Sequence, residues 1–262
     1  MDERILVTGG TGVLGRPVVA RLLATGHEGV RAMSRRPRPA DGGPEWVTAD
    51  LQSGQGVDAA VAGVGTIIHC AGFKGRKAEI ETVGTLIRAA LRAEEPPHLV
   101  YISIVGIDRI PLGYYRGKRE AERLIEASGL PFTILRATQF HELVRLMLAV
   151  LAKAPVMLVP AVSIQPVDVG EVADRLVELA LGKPAGRVAD IGGPQARDAR
   201  DLARAYLRAS GRRRPVLGVR LPGRIFRALR QGDNMAAGQP FGRRGFEDHL
   251  AACADPGALS YR

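Results

Sequence analysis

The stretch TGGTGVLG at 8–15 constrains this chain more than any other. It follows a β-type apolar run, RILVT at 4–8. It leads into VLGRPVVARLLATG, where apolar residues recur at helical spacing before Gly26. A strand, a glycine turn and a helix in that order present unpaired N–H groups at a helix N-terminus, which suits a phosphate. Gly9 permits the tight turn, Gly12 lets the backbone approach a pyrophosphate, and Gly15 lets the helix lie close on a sheet. Gly9, Thr11, Gly12, Val13, Leu14 and Gly15 are therefore candidate positions for holding a dinucleotide.

The alternation continues along the chain. VRAMS, EWVTAD and GTIIHCAG read as strands, AEIETVGTLIRAALRAEEP as an amphipathic helix stopped by Pro96, and HLVYISIVG as a buried strand. YYRGKREAERLIEASG reads as a further helix and PFTILRATQF as a sixth strand. Continuous apolar strands separated by helices predict a parallel sheet covered on both faces. After Gln139 the pattern changes to an apolar helix over 139–153, short strands in APVMLVPAVSIQPVD, and a helix in VGEVADRLVELALG. Asp168 and Glu171 stand at capping-box spacing for that helix. RVADIGG reads as another strand, followed by helical stretches at ARDLARAYLRASG and GRIFRALRQG. The chain is expected to form a single domain over 1–262, with 139–162 and 193–262 contributing a substrate-side lobe.

A chain of 262 residues with 46% hydrophobic and 24% charged residues suits a packed α/β domain of enzyme size. Cys70 and Cys253 are too few for a disulfide framework or a zinc site. The apolar stretch from Leu143 is interrupted by Arg145, Lys153 and Pro155 and is too short to span a bilayer. No signal-type leader opens the sequence, so the expectation is a cytoplasmic chain with no membrane partner. The net charge of +10 includes the clusters SRRPRP and GRRRP, but the basic residues are dispersed and aromatics make up only 5%. No nucleic-acid motif accompanies them, and specific nucleic-acid binding is not expected.

At the end of the second strand, a carboxylate would bind a ribose 2′-hydroxyl and an arginine would accommodate a 2′-phosphate. Ser34, Arg35 and Arg36 stand there, which favours NADP(H), with either Arg35 or Arg36 making the contact. Tyr114 and Lys118 lie four apart on one helix face, with the ammonium placed to assist proton transfer by the phenol. Tyr115, three before Lys118, is also spaced to approach it.

TGGTGVLG, Asp50-Leu51, HCAG at 69–72 and the YxxxKxxxE of Tyr114, Lys118 and Glu122 together resemble the extended and atypical short-chain dehydrogenase/reductases. LPFTILRATQF and IQPVDVGEVA are similar to the NmrA-like branch. The resemblance implies a Rossmann-type doubly wound parallel sheet with a small C-terminal substrate lobe. It selects Tyr114 over Tyr115, sets Asp50 and Leu51 beside the adenine and Ala71-Gly72 along the ribose, and leaves Asp50 open as a helix cap. In relatives with a full triad the serine falls one or two places after Ser103, where this chain has Ile104 and Val105. Ser103, turned inward, or Thr138, Gln139 or His141 would have to supply the missing hydrogen bond, and the latter three are candidate substrate contacts.

The leading expectation is an NADPH-dependent oxidoreductase acting on a carbonyl or quinone-like group of a small hydrophobic substrate, as monomer or homodimer. The alternatives are a non-catalytic NADP-binding regulator and an NAD(P)-dependent epimerase or dehydratase.

Overall fold

A computed structural model describes residues 3–40, 42–72, 75–238, 240–259 and 261. In chain order the elements are β1 (Ile5–Thr8), α1 (Gly15–Ala24), β2 (Val30–Ser34), β3 (Glu45–Thr48), α2 (Val57–Val61), β4 (Thr66–His69), α3 (Arg76–Ala90), β5 (His98–Ile104), α4 (Gly113–Glu126) and β6 (Phe132–Ala137). They continue with α5 (His141–Leu151), β7 (Met157–Pro160), β8 (Ser163–Ile164), α6 (Val169–Leu181), β9 (Gly186–Arg187), β10 (Arg197–Asp198), α7 (Ala199–Ala209), β11 (Val216–Val219), α8 (Arg224–Arg230) and α9 (Phe246–Ala252).

The chain divides into two compact units, one of residues 1–103, 113–136 and 172–189, the other of 104–112, 137–171 and 190–262. The seven-stranded sheet runs β3-β2-β1-β4-β5-β6-β9. Its strands are parallel: Ile5 pairs with both Val30 and Thr66, and Thr66 with His98. The order reverses between β1 and β4, the crevice position at which open α/β sheets of Rossmann type bind nucleotides. β1, β2 and β4 are buried along their whole length, as strands covered on both faces must be.

The helices of the first unit dock through apolar stripes. Val18, Val19 and Leu22 face inward from α1, and Val83, Leu86, Ile87 and Ala90 from α3. The α3 residues join Leu6, Ile67, Leu99, Tyr101, Ile125 and Ile134 in one core. Gly117 of α4 fits where α3 comes close: a Cβ there would lie 3.0 Å from Arg76 Cα and 3.3 Å from Glu79 Cβ. The second unit has its own core, with Val144, Leu148, Met157, Leu202, Tyr206, Phe246 and Leu250.

Two local expectations need correcting. The strand read in RVADIGG extends only over Gly186–Arg187, with an isolated parallel bridge from Ile191 to Ala137. It is an edge strand, and Arg187, Ala189 and Asp190 are exposed, so longer pairing would bury little. The capping box is half formed. Asp168 Oδ1 accepts from the N–H groups of Gly170 and Glu171 at 2.9 and 3.2 Å, whereas Glu171 Oε1 accepts from Arg243 N at 2.7 Å.

Candidate cofactor and active site

The glycine turn and the ends of β2 and β4 line one cleft in the first unit. Its walls are Gly9, Thr11, Gly12, Met33, Ser34, Arg35, Ala49, Asp50, Leu51, Cys70, Ala71 and Gly72. Gly9 has φ +67°, and a Cβ there would sit 2.8 Å from Ala71 N, so the two turns meet only because residue 9 has no side chain. Gly15 is equally constrained, since its Cβ would lie 2.1 Å from Gly9 O. Val13 and Leu14 complete the turn behind the cleft, Leu14 buried at the head of α1.

Of the two arginines after β2, Arg35 lines the cleft, whereas the Arg36 backbone N–H donates to Ser34 Oγ at 3.2 Å. Asp50 Oδ1 accepts from Gln52 N at 3.0 Å, closing a turn, while α2 starts after Gly56, so Asp50 does not cap that helix. The donors and the one basic side chain of this cleft fit a pyridine dinucleotide. Its backbone N–H groups suit the diphosphate, and Leu51 and Met33 supply apolar surface. Burial pushes the Cys70 thiol up to about 12, so Cys70 is a neutral wall residue.

Tyr114 stands at the start of α4, its hydroxyl 3.5 Å from where a Cβ on Gly72 would project. Lys118 is buried one turn later. Its Nζ donates to Ile102 O at 3.1 Å, lies 2.8 Å from Glu79 Oε1, and sits 4.5 Å from the Tyr101 ring centre. Tyr101 Oη donates to the same Glu79 oxygen at 2.8 Å, and its ring stacks on His69 at 5.6 Å. His69 Nδ1 is 2.8 Å from Thr8 Oγ1.

Burial alone would discharge this cluster, but its members hold one another in defined states. Desolvation would lower Lys118, and attraction to Tyr101, Glu79 and Tyr114 holds it well above its ordinary value. Desolvation is the largest influence on Glu79 and would raise it, but attraction to and hydrogen bonding with Lys118, together with the Tyr101 hydroxyl, bring the carboxyl below its ordinary value. His69 falls to about 4 by desolvation and stays neutral. Burial raises the Tyr114 phenol, Lys118 opposes this, and Glu79 adds to it. Glu79 was not among the residues that the sequence singled out. The available signal was its phase: an acid in register with the buried positions Thr82, Val83 and Leu86 of α3.

Ser103 is still in β5 and is buried. It faces Glu122. Desolvation would raise that carboxyl, but Arg136, Ser103 and Arg187 hold it low. Ile104, next in the strand, is half-buried.

The second unit holds the other three candidates. Thr138 Oγ1 donates to Gln165 O at 2.5 Å, Gln139 Oε1 is buried without a partner, and His141 is buried with Nε2 3.0 Å from Pro166 O and Nδ1 unpartnered. His141, Asp168 and His249 bring ligand-type atoms within 4.8 Å of one another, but the Asp168 oxygens already serve the α6 cap and Arg244 at 3.4 Å. No helix among the described residues is long and apolar enough to cross a membrane.

The fold recurs widely at low identity. A nucleoside-diphosphate-sugar epimerase of Staphylococcus aureus superposes with TM-score 0.80 at 18% identity, over 94% of this chain and 99% of that one. Triphenylmethane reductase of Citrobacter sp., complexed with NADP(H), gives 0.79 at 18% over 95% and 100%. NADPH-dependent quinone oxidoreductase of Escherichia coli, complexed with NADPH, gives 0.75 at 20% over 94% and 98%.

In sequence, an uncharacterised Mycobacterium tuberculosis protein is 40% identical over 82 residues, 31% of this chain, so the chain spans about a tenth of that relative. The (4-alkanoyl-5-oxo-2,5-dihydrofuran-3-yl)methyl phosphate reductase of Streptomyces griseus is 29% identical over 218 residues, 79% of this chain and 74% of that one. The model of the family described as NAD(P)H-binding matches residues 9–178, from the glycine turn into α6, and this chain belongs to that family.

Proposed function

We propose that this protein is an NADPH-dependent oxidoreductase that delivers hydride to a carbonyl or quinone-like group of a small hydrophobic molecule. The observation that carries the reading is the Tyr114 hydroxyl beside Gly72 at the cleft wall, one helical turn from a buried, paired ammonium at Lys118. The S. griseus relative is named as a reductase and the E. coli neighbour as an NADPH-dependent quinone oxidoreductase, which supports the same class.

The backbone of Gly9 to Gly15 would hold the diphosphate, Ser34 and Arg35 the 2′-phosphate, Asp50 and Leu51 the adenosine, and Ala71-Gly72 the far ribose. A bound reduced nicotinamide supplies the hydride. Tyr114, kept neutral because burial raises its phenol above the ordinary value near 10, gives the carbonyl oxygen its proton, so hydride and proton together yield an alcohol. Lys118 steadies the charge left on the phenol.

Tyr114→Phe keeps the ring and removes the proton. Reduction of an accepted carbonyl should fall by about 10² or more while NADPH affinity hardly changes. NADPH should bind at least about tenfold tighter than NADH, with Arg35→Ala removing most of the preference. Equal affinities, or carbonyl reduction indifferent to Tyr114→Phe, would refute the reading. The buried Ser103 favours a second reading, an NADP-binding sensor. It would be distinguished by NADPH binding without oxidation by any carbonyl or quinone in a broad panel.

A further inference from the structure

We propose that Glu79 is a positioning residue of this site, acting through Lys118: it pins the lysine Nζ against β5 and partly cancels its charge at the Tyr114 phenol. The inference rests on the assignment of Tyr114 and Lys118 above.

Three observations converge. Glu79 is fully buried and lies 2.8 Å from Lys118 Nζ, which has Ile102 O as its other fixed contact. Tyr101 Oη donates to the same carboxylate oxygen at 2.8 Å, which fixes where the negative charge sits. Gly117, the residue before Lys118, leaves the space in which α3 brings Glu79 close, since a Cβ there would be 3.3 Å from Glu79 Cβ.

A buried ion pair is a poor way to gain stability, because apolar side chains of similar volume do as well or better. This one sits beside a residue whose proton affinity matters to the proposed chemistry. Among the described residues, the titratable groups facing it include Tyr101 from β5, His69 from β4, Cys70 after β4, and Tyr114 on α4 itself. His69 and Cys70 are neutral at neutral pH, so among these described groups Glu79 carries the negative charge that opposes Lys118.

The test reads the phenolate absorbance of Tyr114 against alkaline pH in the full chain, after subtracting the signal of Tyr114→Phe. No substrate is needed. In the unmutated protein the transition should lie above that of free tyrosine. In Glu79→Gln, which keeps size and an acceptor for Lys118 Nζ, it should move down by about one pH unit or more. Glu79→Asp should restore much of the difference.

A transition in the unmutated protein well below that of free tyrosine would overturn the proposal, and so would an unchanged or upward shift in Glu79→Gln. The first of these measurements stands even if Glu79→Gln does not fold. If carbonyls and quinones prove inert while the downward shift appears, the oxidoreductase assignment fails and the role of Glu79 at Tyr114 stands. If turnover is found and the shift is absent, only the role of Glu79 is lost.

Discussion

Each unit buries a polar cluster, and the two solve the problem of buried charge in opposite ways. In the first, Lys118 and Glu79 remain ionised because each satisfies the other and Tyr101 and Ile102 complete their hydrogen bonds. In the second, desolvation leads the causes that lower His141 and take His249 to about 4, and the same burial raises Glu142 to about 6. There the two histidines lose their charge, and atoms such as His141 Nδ1 and Glu142 Oε2 are left without partners. The comparison teaches that burial alone does not decide protonation. A charge survives where its hydrogen bonds are complete and is surrendered where they are not.

The largest expected effect breaks the first cluster. Lys118→Met removes the cation 2.8 Å from the buried Glu79 carboxylate and should cost about 3–5 kcal/mol in denaturant unfolding. The double variant Lys118→Met with Glu79→Met should recover most of that loss. A single variant as stable as the parent would show that the pair is not held as described.

A smaller effect sharpens the contrast at the second cluster. The folded value of His249 lies below its unfolded value near 6.5, so between pH 6.5 and about 4 the unfolded chain binds more protons. Stability is therefore lost as pH falls through that window, by about 2 kcal/mol after allowing for partial exposure. Glu142 works in the opposite sense. Its folded value of about 6 exceeds the unfolded 4.5, so its contribution is present below 4.5 and lost as pH rises through 6. His249→Gln should flatten the acid slope and Glu142→Gln should steepen it, read as unfolding midpoints across pH 4 to 7. His69, also near 4 by desolvation, adds to the same acid loss in the first unit, so the variants are compared at one histidine at a time.

The smallest effect concerns Ser103, buried beside the first cluster but facing Glu122. Ser103→Ala should alter turnover by less than about threefold, whereas a donor to a developing oxyanion costs about 10² or more. A drop of the larger size would place Ser103 in the chemistry and enlarge the cluster by one member.

What could be read from the residues alone was what depends on short spacing. The glycine turn, the strands before and after it, and Tyr114 four before Lys118 are local patterns, and the sheet and cleft follow from them. Glu79 stands 39 residues before its partner on another helix, so no window of periodicity links them. Only an acid in phase with an apolar stripe hinted at a buried partner. His141 and His249 are farther apart still, joined by packing of α5 and α9. Helix α9 was not anticipated, because FEDHLAA spans only 7 residues, too few to show a helical period. Which of Arg35 and Arg36 lines the cleft depends on the backbone turn after β2, which composition does not encode.

The two outer strands of the seven-stranded sheet have a bearing on colloidal behaviour. β9 is two residues long, and Arg187 is tied by ion pairs to Glu122 and Glu126. β3 is four residues long, with Glu45 held by Arg4 and Arg31. An incoming strand from another molecule would find at either rim a short template studded with charge, the arrangement by which sheets resist edge-to-edge growth. At high concentration, the strand rims of this parallel sheet are poor places for self-association to begin.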